Sequence, residues 1–231
     1  MIPKIIHYCW MSQDNYPDKI QFCIDSWHKL LPDYQIIKWD YSNFPRGTSA
    51  YVDEAYDLKK YAFCADWLRI YALKEYGGIY LDSDVEIVKS FDDLLSLPYF
   101  VCQEETHSQF EAAVIGCHKG WNLINDMFKH FQHRHFAQGS DRYDVKPLPY
   151  KFRECIAEKD YDLRFIEDVR QFDMNARVVN VLPVEYFSAN SYKTHRVIRT
   201  ENTYSIHHFA GSWLDQDENL QNVTQSNKNI T

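Results

Sequence analysis

Residues 61 to 95, YAFCADWLRIYALKEYGGIYLDSDVEIVKSFDDLL, constrain the fold more tightly than any other stretch of the chain. Ala62, Ala65, Trp67, Leu68, Ile70, Tyr71 and Leu73 recur at helical spacing, which predicts an amphipathic helix ending at the polar Lys74 and Glu75. Gly77-Gly78 stops it, because a residue without Cβ takes the left-handed conformation of a helix C-cap. Ile79-Tyr80-Leu81 then has the profile of a short buried strand, and it runs into Asp82-Ser83-Asp84. In an open α/β sheet, ligands sit outside the carboxyl ends of the strands. Period-two alternation of an extended chain predicts that Asp82 and Asp84 face one side. Two such oxygen donors suit Mg²⁺ or Mn²⁺, which would in turn hold a diphosphate. The competing reading is a plain polar turn, since Asp and Ser are common turn residues.

Elsewhere the pattern alternates strand and helix, the signature of crossover units and a mostly parallel sheet. Residues 3–10 read as a first buried strand ending in Trp10, Asp18–Leu31 as a helix, and Tyr34–Trp39 as a second strand. Val85–Val88 reads as extended, Phe91–Leu95 as a helical turn, and Tyr99–Gln103 as a strand. Trp121–Phe131 reads as a helix and Val178–Pro183 as a late buried strand. Asp66 and Arg69, three apart, share a helix face; they form either a surface ion pair or part of a binding site. His130, His133 and His135 invite a zinc site, but no carboxylate or cysteine joins them at a known ligand spacing, and a polar loop is the preferred reading.

Three elements together, Ala65-Asp66-Trp67-Leu68-Arg69, Tyr76-Gly77-Gly78-Ile79-Tyr80-Leu81-Asp82-Ser83-Asp84 and Asp92-Asp93-Leu94-Leu95, are far more specific than the carboxylate triplet. They resemble the DXD glycosyltransferases of the capsular-polysaccharide and yeast Golgi mannosyltransferase type (family 32), which share this core with the clostridial glucosylating toxins. The opening IPKIIHYCW and the closing Asn202–Trp213 run are similar to that family too. The resemblance implies one GT-A-like α/β domain over residues 1–215, with a Rossmann-type, mostly parallel central sheet flanked by helices. Residues 216–231 are expected to be a polar tail.

It further implies a retaining glycosyltransferase dependent on Mn²⁺ or Mg²⁺. The donor would be a nucleotide-sugar (UDP-sugar first, GDP-sugar second). The acceptor would be a glycan or lipid-linked glycan, in the synthesis of a capsule or other surface polysaccharide. By the same resemblance, Asp66 positions the donor sugar and Arg69 binds its diphosphate, Asp82 and Asp84 carry the metal, and Ser83 belongs to the donor site. Trp10 is a candidate for stacking on the base; as a residue type it is equally a core anchor. Ser212 and Trp213 would donate hydrogen bonds to the diphosphate. A histidine of the closing run would complete the metal shell. Adjacent strand residues face opposite ways, so at most one of His207 and His208 does so; His208 is expected, with His207 buried behind it. Relatives often carry an asparagine where this chain reads Gln109-Phe110-Glu111-Ala112-Ala113, which leaves Glu111 as a candidate on the acceptor side.

Composition sets the outer limits. A chain of 231 residues fits one domain, and a net charge of −8 with a pI near 5.7 argues against nucleic acid as a partner. The six cysteines are scattered without metal-finger or redox-pair spacing, which predicts buried, reduced thiols. Met1-Ile2-Pro3-Lys4 runs straight into a strand with no signal-peptide pattern, and no apolar run approaches the ~20 residues that span a bilayer. A cytoplasmic protein with room for peripheral association at the inner membrane face is the resulting expectation. Two other functions fit the same residues: a nucleotide-sugar hydrolase, and a degenerate nucleotide-sugar-binding module.

Overall fold

The computed structural model describes residues 1–104, 110–140, 142–191, 193–194 and 196–210. Strand β1 (Ile5–Cys9), helix α1 (Asp18–Leu30) and strand β2 (Gln35–Trp39) form the first crossover unit, with β2 parallel to β1 and Cys9 opposite Trp39. Helices α2 (Ala50–Asp57) and α3 (Tyr61–Tyr76) then lead into β3 (Gly78–Leu81), which pairs parallel with β1 on its other edge. The chain has thus moved outward from β1 in both directions. That makes the carboxyl end of β1 a switch point, where the flanking loops part and leave a crevice.

After β4 (Val85–Ile87), strands β5 (Tyr99–Phe100) and β6 (Val114–Cys117) complete a sheet of order β2-β1-β3-β6-β5. Only β6 is reversed, being antiparallel to both neighbours, so four of the five strands point one way, as the mostly parallel expectation requires. Helices α4 (Asn122–Phe131) and α5 (Leu148–Glu158) follow, then the parallel pair β7 (Asp162–Phe165) and β8 (Val178–Val181). Strand β9 (Ser205–His207) returns to pair antiparallel with β4.

Both faces of the sheet are covered. On one, Tyr80 and Cys9 pack with Trp67, Leu68, Met127 and Phe152; on the other, Ile79, Leu81, Ile6 and Tyr8 pack with Trp27, Phe91, Phe100 and Tyr204. Double-sided burial explains why the strands read as unbroken apolar runs. Helix α3 departs from the amphipathic expectation. Phe63 and Cys64 are buried as well as Trp67, Leu68, Ile70 and Leu73, while Ala62, Ala65 and Tyr71 are partly exposed. It is packed by the sheet on one side and by α2 and α4 on others, so its apolar positions do not collect in one stripe. All six cysteines are free and buried. Among the described residues no helix is long and apolar enough to cross a membrane.

The corner between α3 and β3 is held by close backbone approach. Gly77 has φ +67° and Gly78 φ +99°. A Cβ on Gly77 would lie 2.5 Å from Lys119 N, and one on Gly78 2.7 Å from Ile5 O. His7 Nε2 donates to Gly77 O at 2.8 Å while Nδ1 accepts from Trp39 Nε1 at 3.2 Å. Burial pushes the pKa of His7 down to about 4, so the imidazole is neutral and has one donor and one acceptor for these two partners. Gly78→Ala is expected to cost about 2–4 kcal/mol in urea unfolding, combining left-handed strain with overpacking. Gly120→Ala, also at positive φ but with nothing within 4 Å of the added carbon, should cost about 1–2 kcal/mol. Equal losses would show that the contact with β1 contributes nothing.

Candidate active site

Asp82, Ser83 and Asp84 do not continue β3. The chain turns at once, with Val85 N donating to Asp82 O at 3.0 Å, and β4 leaves in a new direction to meet β9. The two carboxylates therefore converge through a tight turn, not through strand alternation, and this corrects the extended geometry expected from the sequence. Ser83 lies half-buried at the turn between them. Asp82 N donates to Ala113 O at 2.8 Å, which pins the turn to the segment entering β6.

Arg69 stands behind the turn. Its side chain is 5% exposed, Nη2 donates to Asp82 Oδ1 at 2.7 Å, Nη1 donates to Ala112 O, and the guanidinium lies 4.4 Å from the centre of the Tyr80 ring. Asp66, one helical turn earlier, is 3.5 Å from the same Nη2. The Asp66–Arg69 pair is therefore buried, which excludes the surface-ion-pair reading. The two bonds described for the guanidinium point inward, to Asp82 and a backbone carbonyl, so Arg69 is the counter-ion of the turn and does not present an open fork to a ligand.

The histidine expectation is overturned. His207, not His208, faces the carboxylates: its Nε2 lies 3.4 Å from Asp84 Oδ1 and its Nδ1 3.5 Å from Glu111 Oε2. The register of β4 with β9 sets this, because His207 sits opposite Val85, next to Asp84, at the last position of β9. His208 lies past the strand end. Its N–H donates to Asp84 O at 3.1 Å and its ring turns to the other side, with Nε2 3.0 Å from Glu86 Oε2. Asp84 Oδ2 also accepts from Ala210 N at 2.7 Å.

Asp82, Asp84 and His207 can bring one ligand atom each within 4.8 Å of one another, and they are the single such grouping of His, Cys, Asp and Glu among the described residues. Two carboxylate oxygens and an imidazole nitrogen suit Mn²⁺, with Mg²⁺ a second choice. The electrostatics fit a cation too. Burial, reinforced by Asp84, pushes Asp82 up to about 7 despite Arg69. Burial opposes the charge on Asp84 as well, but His207 and the Ala210 amide hold its carboxyl well below the usual range. Burial disfavours the imidazolium of His207, but Asp84 and Glu111 outweigh it and hold the proton on.

Trp10 is half-buried at the end of β1. Its Nε1 donates to Asp14 O at 3.2 Å, and Tyr16 packs edge-on with ring centres 4.9 Å apart. Trp10, Ser12, Asp14, Tyr16, Lys38 and Asp40 line a polar cleft of about 250 Å³ over the carboxyl ends of β1 and β2. Parallel pairing of β1 with β3 puts this cleft and Asp82 on the same edge of the sheet. Gly211, Ser212 and Trp213 lie outside the described residues, as does the tail 216–231. The three histidines do not converge: His135 Nδ1 is 2.6 Å from Glu54 Oε1, and His130 stays on α4. Sequence reading passed over Lys151, which is fully buried, 3.1 Å from both Asp144 Oδ2 and the Tyr51 hydroxyl, and raises the local positive potential at Asp66. Its signal was a lysine inside the apolar stripe Leu148, Phe152, Cys155, Ile156 of α5.

This mostly parallel sheet, flanked by helices and ending in a carboxylate turn, has the GT-A class of glycosyltransferase fold, which solved glycosyltransferase structures share. Residues 17–101 match the family described as the glycosyltransferase sugar-binding region containing DXD motif. Inositol phosphoceramide mannosyltransferase 3 of Schizosaccharomyces pombe is 29% identical over 163 residues, covering 64% of this chain and 43% of its own. A glycosyltransferase of Acanthamoeba polyphaga mimivirus is 31% identical over 170 residues, 68% of this chain and 66% of its own. Among solved structures, the PaToxG glycosyltransferase shares the fold, with a TM-score of 0.52 at 24% identity over 68% of this chain and 69% of that one. Residues 17–101 carry the domain of the DXD-containing glycosyltransferase family. The chain spans under half the length of the first curated relatives it matches, between 27% and 43%.

The raised pKa of Asp82 has a consequence for stability. Between the unfolded carboxyl value of 3.8 and the folded value of about 7, the native state holds a proton that the unfolded chain releases. This group's contribution therefore falls as pH rises through that window. In chelator-treated protein, the stability of Asp82→Asn relative to the wild type should rise by roughly 1–3 kcal/mol between pH 4 and 7 and level off above. Urea unfolding across pH measures it; parallel curves for the two proteins would refute the assignment.

Proposed function

We propose that the chain is a metal-dependent, retaining glycosyltransferase that moves a sugar from a nucleoside diphosphate to a glycan or lipid-linked glycan acceptor. The convergence of Asp82, Asp84 and His207 at the switch-point edge of the sheet carries this reading. Uridine donors are favoured and guanosine donors come second. The S. pombe relative, an inositol phosphoceramide mannosyltransferase, supports a mannosyl donor and a lipid-linked acceptor as one form of this transfer. Work at the cytoplasmic face of a membrane, in surface-polysaccharide synthesis, completes the proposal.

The leaving group of such a transfer is a nucleoside diphosphate, and its growing negative charge must be stabilised. A divalent ion held by Asp82, Asp84 and His207 would supply that stabilisation as a Lewis acid. The remaining contributions come from the protein. Arg69 orients Asp82 and offsets part of the cost that burial puts on its charge. Asp66, backed by Arg69 and Lys151, presents a carboxylate to the hydroxyls of the donor sugar. The Trp10 cleft takes the base and ribose, with a ring face for stacking and the Lys38–Asp40 pair, 2.8 Å apart, as polar partners. Among the described residues no carboxylate identifies itself as a nucleophile, and front-face attack by the acceptor is the mechanism favoured.

Thermal unfolding with UDP or GDP, each with and without Mn²⁺, tests the donor site. At ~100 times Kd, a ligand stabilises by about 2.7 kcal/mol, or roughly 5–10 °C for a chain of this size. The shift should need Mn²⁺ and vanish in Asp84→Ala; a shift of the same size without metal would sink the metal-dependent reading. Sugar transfer should fall at least ~100-fold in Asp84→Ala and in His207→Ala, and stay within about threefold in His208→Ala. Loss in His208→Ala with retention in His207→Ala would reverse the histidine assignment.

A further inference from the structure

We propose that Glu111 is a positioning residue for His207, fixing the imidazole so that Nε2 is the atom offered to the cation; this rests on the metal site proposed above. Glu111 was a candidate for the acceptor side, yet its side chain is 7% exposed and faces inward. It lies just before β6, where its N–H donates to Cys102 O at 2.9 Å. Its carboxylate is pinned at both oxygens. Oε1 accepts from Ala113 N at 2.8 Å, and Oε2 accepts from Ser188 Oγ at 3.1 Å. The same Oε2 is 3.5 Å from His207 Nδ1.

That nitrogen is buried and has no partner within hydrogen-bond geometry. A buried ring nitrogen left unpaired is costly, and a small tilt of the imidazole would bring Nδ1–H into a full bond with Glu111. Meanwhile the opposite nitrogen, Nε2, faces Asp84. The rest of the strand is held independently of the ring: Asn190 Nδ2 donates to His207 O at 3.1 Å, and Ser205 Oγ donates to Phe187 O at 2.9 Å. The Phe209 ring packs on the imidazole with centres 4.1 Å apart. Backbone position is thus fixed by these bonds, whereas the choice of nitrogen and the ring's rotation depend on the carboxylate behind it. A histidine ligand oriented by a carboxylate on its other nitrogen binds metal more tightly, and loss of that partner typically costs 10–100-fold in affinity.

Mn²⁺ affinity, followed by electron paramagnetic resonance in the full chain, tests this without reference to catalysis. Glu111→Gln keeps the shape and an acceptor for Ala113 N, but it removes the anionic acceptor for Nδ1–H. The expected result is an affinity about 10–100-fold weaker, with a metal-free thermal midpoint close to that of the wild type. Combined with His207→Ala, the second change should have no further effect, because its action runs through the imidazole. Wild-type affinity in Glu111→Gln, or an equal loss with and without His207, would overturn the inference. If Glu111→Gln does not fold, Ser188→Ala, which frees Oε2 but leaves the charge, should still weaken Mn²⁺ about 3–10-fold, and unchanged affinity there would overturn it. Failure of the wild type itself to bind Mn²⁺ would instead overturn the metal site on which the inference rests, a separate result.

Discussion

The site depends on one buried guanidinium. Arg69 joins three pieces of chain that come from separate parts of the sequence: its own helix α3, the turn after β3 through Asp82, and the segment entering β6 through Ala112 O. Tyr80 closes the remaining face. A cation so enclosed is tolerable only with its partners in place, and removing one member of such a pair typically costs about 3–5 kcal/mol. This cost makes the turn geometry determinate. Asp82 cannot swing into solvent without stranding Arg69, and Asp66 cannot move without exposing the same charge from the other side. The glycines at the α3–β3 corner admit the close backbone approach there, Gly77 to Lys119 N and Gly78 to Ile5 O.

The second constraint is the β4–β9 ribbon, which brings the chain's far end back to the turn. Its register of Val85 opposite His207 and Ile87 opposite Ser205 places the imidazole next to Asp84. On the ribbon's other side, Glu86 gathers His208 and Arg199 at 3.0 and 3.3 Å. Two neighbouring histidines thus join two distinct charge clusters, His207 with Asp84 and Glu111, His208 with Glu86.

These two constraints mark the limit of what the sequence could tell. The crossover units, the Gly-Gly stop and the carboxylates at a strand end were legible because each is set by local propensity and periodicity within about a dozen residues. Which histidine faces the carboxylates was not, because Ser205, Ile206 and Val85 are all buried, and a ribbon covered on both faces leaves no alternation from which to infer its parity. Likewise the apolar positions of α3 could not form one stripe once the helix was packed on several sides. Lys151 was missed, and Glu111 was read as an acceptor-side candidate, for a related reason. Their meaning lies in partners far along the chain, Asp144 and Tyr51 for one, Ser188 and His207 for the other. A charged residue at an apolar periodic position is the trace such a group leaves, and α5 carries one.

Charge balance ties these features to the function proposed. Around the turn stand four carboxylates, Asp66, Asp82, Asp84 and Glu111, against Arg69, His207 and the more distant Lys151, in a chain of net charge −8. A diphosphate brought to this edge by itself would meet more negative than positive charge. The nearest fixed cation, Arg69, already has both described bonds directed inward. The helix dipoles and backbone amides of the crevice offer only fractional charge. A divalent cation would alter the sign of that balance: it would offset the burial and the Asp84 charge that push Asp82 up to about 7, and would offer positive charge to the phosphate oxygens. The carboxylate excess is therefore intelligible as one half of a binding site whose other half arrives with the donor, and Arg69 is the group that keeps that half in place until it does.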